Sequence, residues 1–246
     1  MFRFQARPDN WRMTELLIIR HGETDWNRQH RFQGQIDVPL NATGRQQAER
    51  LAQALAQEPI DAVLASDLQR AQATAQAVVR TAARTAARSV AQVATQPTGH
   101  TVLIEPLWRE QAFGVLEGLD VPTIQREHAP LWSRWIRHEA DYALPGGGES
   151  NQAFHDRVLR ALAATVDAHA GQRVAVFTHG GVLDMLWRAA HGLPLHGPRE
   201  CAIPNTGINR LRWADGRLQI VRWAQDDHLT GLPEQPSTAQ TFVRAS

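Results

Sequence analysis

The chain has a single cysteine, Cys201, among its 246 residues. No disulfide can form within it, and a reducing compartment, the cytoplasm, is expected. Glu200 and Ala202 flank the thiol and no base stands beside it, so Cys201 reads as a half-buried structural residue. No stretch approaches the ~18 consecutive apolar residues of a membrane-spanning helix. The first residues carry charges and Pro8 but lack the apolar run of a secretory signal. Residues 1–13 therefore read as a disordered extension. Neither sign of charge prevails, with 26 Lys+Arg against 25 Asp+Glu. That balance gives no electrostatic case for nucleic acid or a membrane surface as partner. The 11 histidines include no His-Glu-x-x-His, and paired-cysteine spacing is absent, so no metal site is expected. An anionic ligand has to be met by a local cluster of cations.

What remains is ample for a core. Hydrophobic residues make up 43% and charged residues 21%, the balance of a folded globular chain. Apolar runs alternate with helical patterns. Strands are expected at 15–20, 60–65, 101–104 and 173–178. Helices are expected from Thr43-Gly44 to Pro59, over 68–80, from Glu149-Ser150 onward, and over 182–190. Ser66-Asp67 supplies an N-cap for the helix over 68–80. The tandem near-repeat Thr81–Arg88 extends that helix and fades into a loop at Pro97-Thr98-Gly99, its arginines solvated. Asp215-Gly216 marks a hairpin between strands at 207–213 and 217–223. This alternation predicts an α/β fold, a three-layer α/β/α sandwich around a mostly parallel central sheet. Residues 14–230 form one domain, with a lid insertion at about 107–148, and 231–246 read as a mobile tail. The lid gathers Trp108, Phe113, Trp132 and Trp135 around one helix bearing Leu131, Trp135 and His138 on one face. Those tryptophans either pack against the main body or line a pocket for a ring-bearing group.

Two strands carry the chemistry. Leu16-Leu17-Ile18-Ile19 stops at Arg20-His21-Gly22, and Val174-Ala175-Val176-Phe177-Thr178 stops at His179-Gly180-Gly181. Strands buried on both faces read this way, and open α/β sheets bind ligands outside their carboxyl ends. Arg20-His21 alone is open to two readings, a solvated strand end or an active site. The helix that begins at Gly180-Gly181 turns free N–H groups toward the same crevice, which favours an anion. Arg70 falls in the first turn of its helix, the wrong end for a cation, so a ligand or carboxylate should compensate it. Arg20, His21, Arg70 and His179 together would form a compact cationic pocket suited to a phosphoryl group.

In order along the chain stand Arg20-His21-Gly22-Glu23-Thr24, Trp26-Asn27, Phe32-Gln33-Gly34, Ser66-Asp67-Leu68-Gln69-Arg70-Ala71, Arg109-Glu110, Pro145-Gly146-Gly147, Thr178-His179-Gly180-Gly181 and Asn205-Thr206. This set resembles the histidine phosphatase superfamily, in its phosphoglycerate-mutase-like phosphatase branch, over about residues 15–210. The resemblance implies that His21 is a nucleophile that becomes phosphohistidine. It implies that Arg20, Arg70 and His179 bind the phosphoryl group, with Asn27, Gln33, Gly180 and Thr206 around it. It makes Glu110 the general acid and base, with Glu117 as a competitor for that role. Gln33 and Thr206 remain open to a purely structural role, while Glu23 and Thr24 hold the loop. No cofactor is implied, because side chains supply the positive charge. The implied substrate is a small phosphomonoester. Hydrolysis, a mutase reaction at the same site, and a non-catalytic phospho-ligand module all remain open, as does monomer or dimer.

Overall fold

The computed structural model describes residues 13–89 and 101–236. Its first strand, β1 (Thr14–Arg20), sends alternate side chains into two separate cores. Leu16 and Ile18 join one, Leu17 and Ile19 the other. Burying each is worth roughly 1.5–3 kcal/mol, which is why no polar residue interrupts the run.

A short helix, α1 (Asp25–Arg28), follows within the loop, then α2 (Ala42–Ala54), capped by the Asn41 side chain. Next come β2 (Ala62–Ala65) and α3 (Gln69–Ser89). Helix α3 runs nine residues beyond the expected Arg80 and absorbs the tandem repeat, with Arg84 exposed as expected. The loop expected at Pro97–Gly99 lies outside the described residues. The expected Ser66-Asp67 cap is divided. Ser66 Oγ accepts the Leu68 N–H at 3.3 Å, and Asp37 reaches in from the loop to accept the Gln69 N–H at 2.7 Å. Asp67 instead pairs with Arg109. Strand β3 (Val102–Ile104) ends the first half.

The insertion holds α4 (Val121–Glu127) and α5 (Ala129–Trp135) rather than one helix. Each has a proline in its first turn, where the missing N–H costs nothing. Phe32, Leu116, Val121, Ile124 and Leu144 form a third core, against which Leu131, Trp132 and Trp135 pack. Trp108 belongs to the main core, fully buried, with Nε1 donating to Thr165 Oγ1. His138 lies past the end of α5 in the left-handed region, its ring 5.7 Å from that of Trp135.

The second half contributes α6 (Asn151–Ala168), β4 (Arg173–Thr178), α7 (Gly180–His191), β5 (Ile208–Ala214) and β6 (Arg217–Gln225). The six strands order as β3-β2-β4-β1-β5-β6, parallel from β3 to β1, with β5 and β6 antiparallel. Helices α2 and α3 cover one face of the sheet, α6 and α7 the other. Asp215 and Gly216 both have positive φ, the turn a two-residue hairpin needs. His191, the last residue of α7, and His196, in the loop after it, are exposed.

Two expectations shift. Cys201 is buried rather than half-buried, and burial, with the Asp184 carboxylate next in size, pushes its thiol up to about 12. Residues 231–236 of the expected tail are placed. The Gln235 side chain accepts from Asn205 N (2.6 Å) and donates to Asn205 O (3.2 Å).

Candidate active site

The carboxyl ends of β2, β4 and β1 lie side by side, with Ala65 opposite Phe177 and Thr178 opposite Arg20. The ladder continues one step, as Ser66 N donates to Phe177 O (3.0 Å) and His21 N to Thr178 O (2.9 Å). The next residue of each strand therefore joins a row: Ser66, His179, His21. His179 Nε2 lies 2.9 Å from Ser66 Oγ, and the two imidazole rings are 5.2 Å apart.

His21 Nδ1 is 2.7 Å from the carbonyl oxygen of Gly22. A carbonyl only accepts, so Nδ1 carries the proton and Nε2 keeps its lone pair. Burial, then the charges of Arg70 and Arg20, hold this ring's pKa well below the usual 6.5. His21 is thus a neutral imidazole at neutral pH with Nε2 as its nucleophilic atom.

Arg20 ends β1 and donates from Nη1 to Ile203 O at 2.7 Å. Arg70 is the second residue of α3 and donates to Ile36 O and Gly34 O, both at 2.8 Å. Its expected compensation at the helix N-terminus comes from these loop carbonyls, with no carboxylate in hydrogen-bonding contact among the described residues. Burial pushes both guanidinium groups down to about 10, so each stays charged at neutral pH. Among the described residues, the buried nitrogens Arg20 Nε, Arg70 Nε and His179 Nδ1 have no hydrogen-bond partner. An unpaired buried polar group costs about 1–3 kcal/mol, and such a cluster calls for an explanation. An anion with several acceptor oxygens supplies one.

The loop before α2 is fixed from within. Glu23, fully buried, accepts from Arg28 (2.9 and 2.8 Å) and from Asn41 Nδ2 (2.8 Å). Thr24 caps α1, and its backbone N–H donates to Asn27 Oδ1 at 3.0 Å. Its hydroxyl lies 3.0 Å from Gln33 Oε1. Both amide oxygens are thereby occupied, which leaves the NH₂ groups of Asn27 and Gln33 as the donors at the pocket wall.

Glu110 stands across the pocket. Its Oε2 accepts from Gly181 N (3.0 Å) and its Oε1 from Gln111 N (2.9 Å). The anion met by Gly181 at the N-terminus of α7 is therefore a carboxylate of the chain itself. Arg157 holds the segment in place. It donates to the carbonyls of Leu107, Arg109 and Glu110 at 2.9, 2.9 and 3.0 Å, and makes a two-point contact with Glu149 at 2.7 and 2.6 Å. Glu117 is used up elsewhere, accepting from Gln35 N and Phe113 N.

A profile of the histidine phosphatase superfamily (branch 1) matches residues 16–226. The chain belongs to this superfamily. This histidine phosphatase is 35% identical over 218 residues to phosphoglycerate mutase-like protein 4 of Arabidopsis thaliana, covering 87% of the chain and 86% of that relative. It is 33% identical over 222 residues to a metal-independent phosphoserine phosphatase of the same plant, covering 89% and 85%. Among solved structures it resembles YhfR of Bacillus stearothermophilus, with a TM-score of 0.75 at 28% identity over 88% of the chain and 99% of that structure. A mycobacterial glucosyl-3-phosphoglycerate phosphatase matches with a TM-score of 0.70 at 28% identity, covering 86% and 98%. The fold is that of phosphoglycerate-mutase-like enzymes, and the chain is an enzyme of this family.

In this histidine phosphatase, Arg20, His21, Asn27, Gln33, Arg70, Glu110 and Gly180 line one pocket of about 110 Å³. His179 is fully buried and not among the residues that line it. Thr206 is also buried and off the pocket. Its N–H donates to Arg20 O at 3.0 Å and its hydroxyl lies 3.3 Å from His228 Nε2, so it braces Arg20. Of the lid aromatics, Phe113 and Trp135 reach the pocket while Trp108 does not. Arg199, Asn205, Trp26 and Pro236 line it without having been singled out from the sequence as ligand-binding residues. Asn205, on which Nδ2 donates to His21 O (2.9 Å), was visible there only as half of Asn205-Thr206. Arg199 and Arg157 gave no signal, since one lies in an aperiodic loop and the other on a helix face without apolar spacing.

Proposed function

We propose that this histidine phosphatase hydrolyses phosphomonoesters of small molecules through a phosphohistidine on His21. The observation that carries the proposal is the neutral, Nδ1-protonated His21 beside Arg20 Nε, Arg70 Nε and His179 Nδ1, buried and without hydrogen-bond partners among the described residues. In the first step His21 Nε2 attacks phosphorus and the bond from phosphorus to the ester oxygen breaks. Glu110, as the carboxylic acid, gives its proton to the departing oxygen. In the second step Glu110 takes a proton from water. The hydroxide oxygen bonds to phosphorus, the phosphorus–nitrogen bond breaks, and inorganic phosphate leaves with His21 restored. Arg20, Arg70, His179 and the amides of Asn27 and Gln33 hold the phosphoryl oxygens, and Gly180 lets the backbone come close. Such positioning and charge neutralisation is most of what phosphoryl transfer requires.

Relatives named as phosphatases support hydrolysis. Relatives named as a phosphoglycerate mutase-like protein and a probable phosphoglycerate mutase support the same first step with a second hydroxyl in place of water. A nucleophile and an acid in one pocket argue against a non-catalytic module. The compartment consistent with one cysteine is the cytoplasm.

The test is His21→Ala, assayed for phosphate release and for an acid-labile phosphoenzyme. Both are expected to vanish, and retained turnover refutes the mechanism. Isomerisation of 3-phosphoglycerate, with and without a bisphosphoglycerate primer, separates mutase from phosphatase.

A further inference from the structure

The loop after α7 is tied down by one arginine and presents another. Arg188 donates to the carbonyls of Pro194 (2.5 Å), His196 (3.1 Å), Gly197 (2.9 Å) and Pro198 (2.8 Å), and to Asp184 Oδ2 (3.2 Å). Its charge and its donors are absorbed in shaping the loop. Arg199 comes directly after, with its side chain 10% exposed. It donates no hydrogen bond among the described residues, and its buried Nε has no hydrogen-bond partner there. The nearest carboxylate oxygen, Asp184 Oδ1, is 3.8 Å from Nε. That carboxylate already serves Arg188 and accepts from the Cys201 thiol.

Arg199 also stands close to Arg20. Arg199 Nη1 and Arg20 Nε lie 3.8 and 3.6 Å from the point that a Cβ on Gly180 would occupy. Two guanidinium groups thus converge on one glycine. Like charges brought together in a buried place are costly until an anion joins them.

The position of Arg199 says which part of the substrate that anion belongs to. The phosphoryl pocket adjoins a side chamber of about 40 Å³, space for one carboxylate-sized group or about two waters. Both are lined by Glu110, Gly181, Phe113, Trp135 and Arg199, whereas His21, Arg20 and Arg70 line only the first. Glu110 is the group proposed to protonate the leaving oxygen. The chamber beyond it therefore lies on the leaving-group side. Its other charged and titratable members are Asp184, one carboxylate shared between Arg188 and Arg199, together with Arg188 and His138. Gln111 and Asn151 add polar groups, and Trp135 and Phe113 an apolar wall.

We infer that Arg199 is a specificity-determining residue that reads an anionic group on the leaving alcohol, so that the preferred substrates are small phosphorylated hydroxy acids. The inference rests on the phosphomonoesterase reading above. Nothing in the similarity to known proteins assigns this residue a role.

The test compares 3-phosphoglycerate with glycerol 1-phosphate, which differ by a carboxylate in place of a hydroxymethyl group. Phosphate release gives kcat/KM for both substrates in wild type, Arg199→Leu and Arg199→Lys. The wild type is expected to prefer the acid. In Arg199→Leu that preference falls roughly 10- to 100-fold, the range of a lost charge-assisted hydrogen bond, with KM for the acid carrying most of the change. Arg199→Lys, which keeps a charge at the position, restores part of the preference. Thermal melts of both variants check folding, and Arg199→Lys carries the comparison if Arg199→Leu is unstable. An equal loss on both substrates would place Arg199 on the phosphoryl group and overturn the inference. So would a preference unchanged in both variants, or a wild type that forms the phosphoenzyme yet shows no preference. A wild type that releases phosphate from neither substrate and forms no phosphoenzyme would strike the phosphatase reading instead.

Discussion

Gly181 separates the two halves of the proposed reaction. Its N–H holds Glu110 Oε2 at 3.0 Å, and a Cβ at this position would lie 2.2 Å from Glu110 Oε1. Ordinary contact begins at 3.4 Å, so in Gly181→Ala the carboxylate has to retreat by about 1.2 Å. A misplacement of ~1 Å is worth ~10²-fold in rate. The backbone itself accepts alanine. The position is helical, and alanine gains about 0.5–1 kcal/mol over glycine there, offset by a close contact of 3.0 Å with Phe154. At ~2–4 °C per kcal/mol the melting temperature should move by only a few degrees. The assay pairs an alkyl with an aryl phosphate. An alkoxide needs the proton of Glu110 to leave, so kcat on glycerol 1-phosphate should fall about 100-fold. A nitrophenolate leaves without one, so phosphorylation of His21 by 4-nitrophenyl phosphate should survive. Hydrolysis of the phosphoenzyme still needs Glu110 as base. The variant should therefore release a burst of nitrophenolate and accumulate phosphohistidine. Activity on glycerol 1-phosphate within threefold of wild type would refute the assignment of Glu110. So would equal losses on both substrates without a burst.

Two further outcomes follow from the geometry. Replacing Arg157 by methionine strips Glu149 and three carbonyls of their shared donor. Removing one member of a mostly buried pair costs about 3–5 kcal/mol, and Glu149 is partly exposed, so the lower end applies. Calorimetry should show the melting temperature drop by ~6–12 °C with kcat reduced, and a shift under 2 °C would contradict the clamp. The second concerns acid. His21 and His179 both have folded pKa values depressed by burial first, then by neighbouring cations. Below pH 6.5 the unfolded chain binds protons that the folded one refuses. Stability is thus full above that pH and declines as the pH falls, by up to about 1.4 kcal/mol per pH unit for each ring. Urea titrations between pH 7 and 5 should show this slope, reduced in His179→Asn, and a flat profile would rule out two buried neutral imidazoles.

Much of the framework could be read from residue order. Unbroken apolar runs that stop at His-Gly placed both histidines at strand ends, because only strands covered on both faces tolerate such runs. Asp215-Gly216 gave the hairpin, since both residues accept positive φ. Glu23 and Thr24 were expected to hold the loop. How they do so, Glu23 by accepting from Arg28 and Asn41 and Thr24 by occupying the amide oxygens of Asn27 and Gln33, needed the side-chain geometry. The lid was misjudged as one helix because its aromatics follow no period, and Pro122 and Pro130 each start a helix of their own. Trp108 looked like part of the lid by its position in the chain, yet the main core claims it. Arg157 and Arg199 show the limit most clearly. What distinguishes an arginine that braces carbonyls from one that makes no hydrogen bond among the described residues is its surroundings, and those come from other segments of the chain.

The hydrogen-bonded register of β1 and β4 has one more consequence. Neighbouring strands lie ≈ 4.7–4.9 Å apart, and the two imidazole rings that extend those strands are 5.2 Å apart. The sheet acts as a ruler. The gap between the nucleophile and the imidazole behind it is set by the spacing of peptide groups rather than by any loop. Rebuilding the lid, the chamber beside Glu110 or the segment around Gln235 would then change which alcohols are accepted while leaving that distance alone.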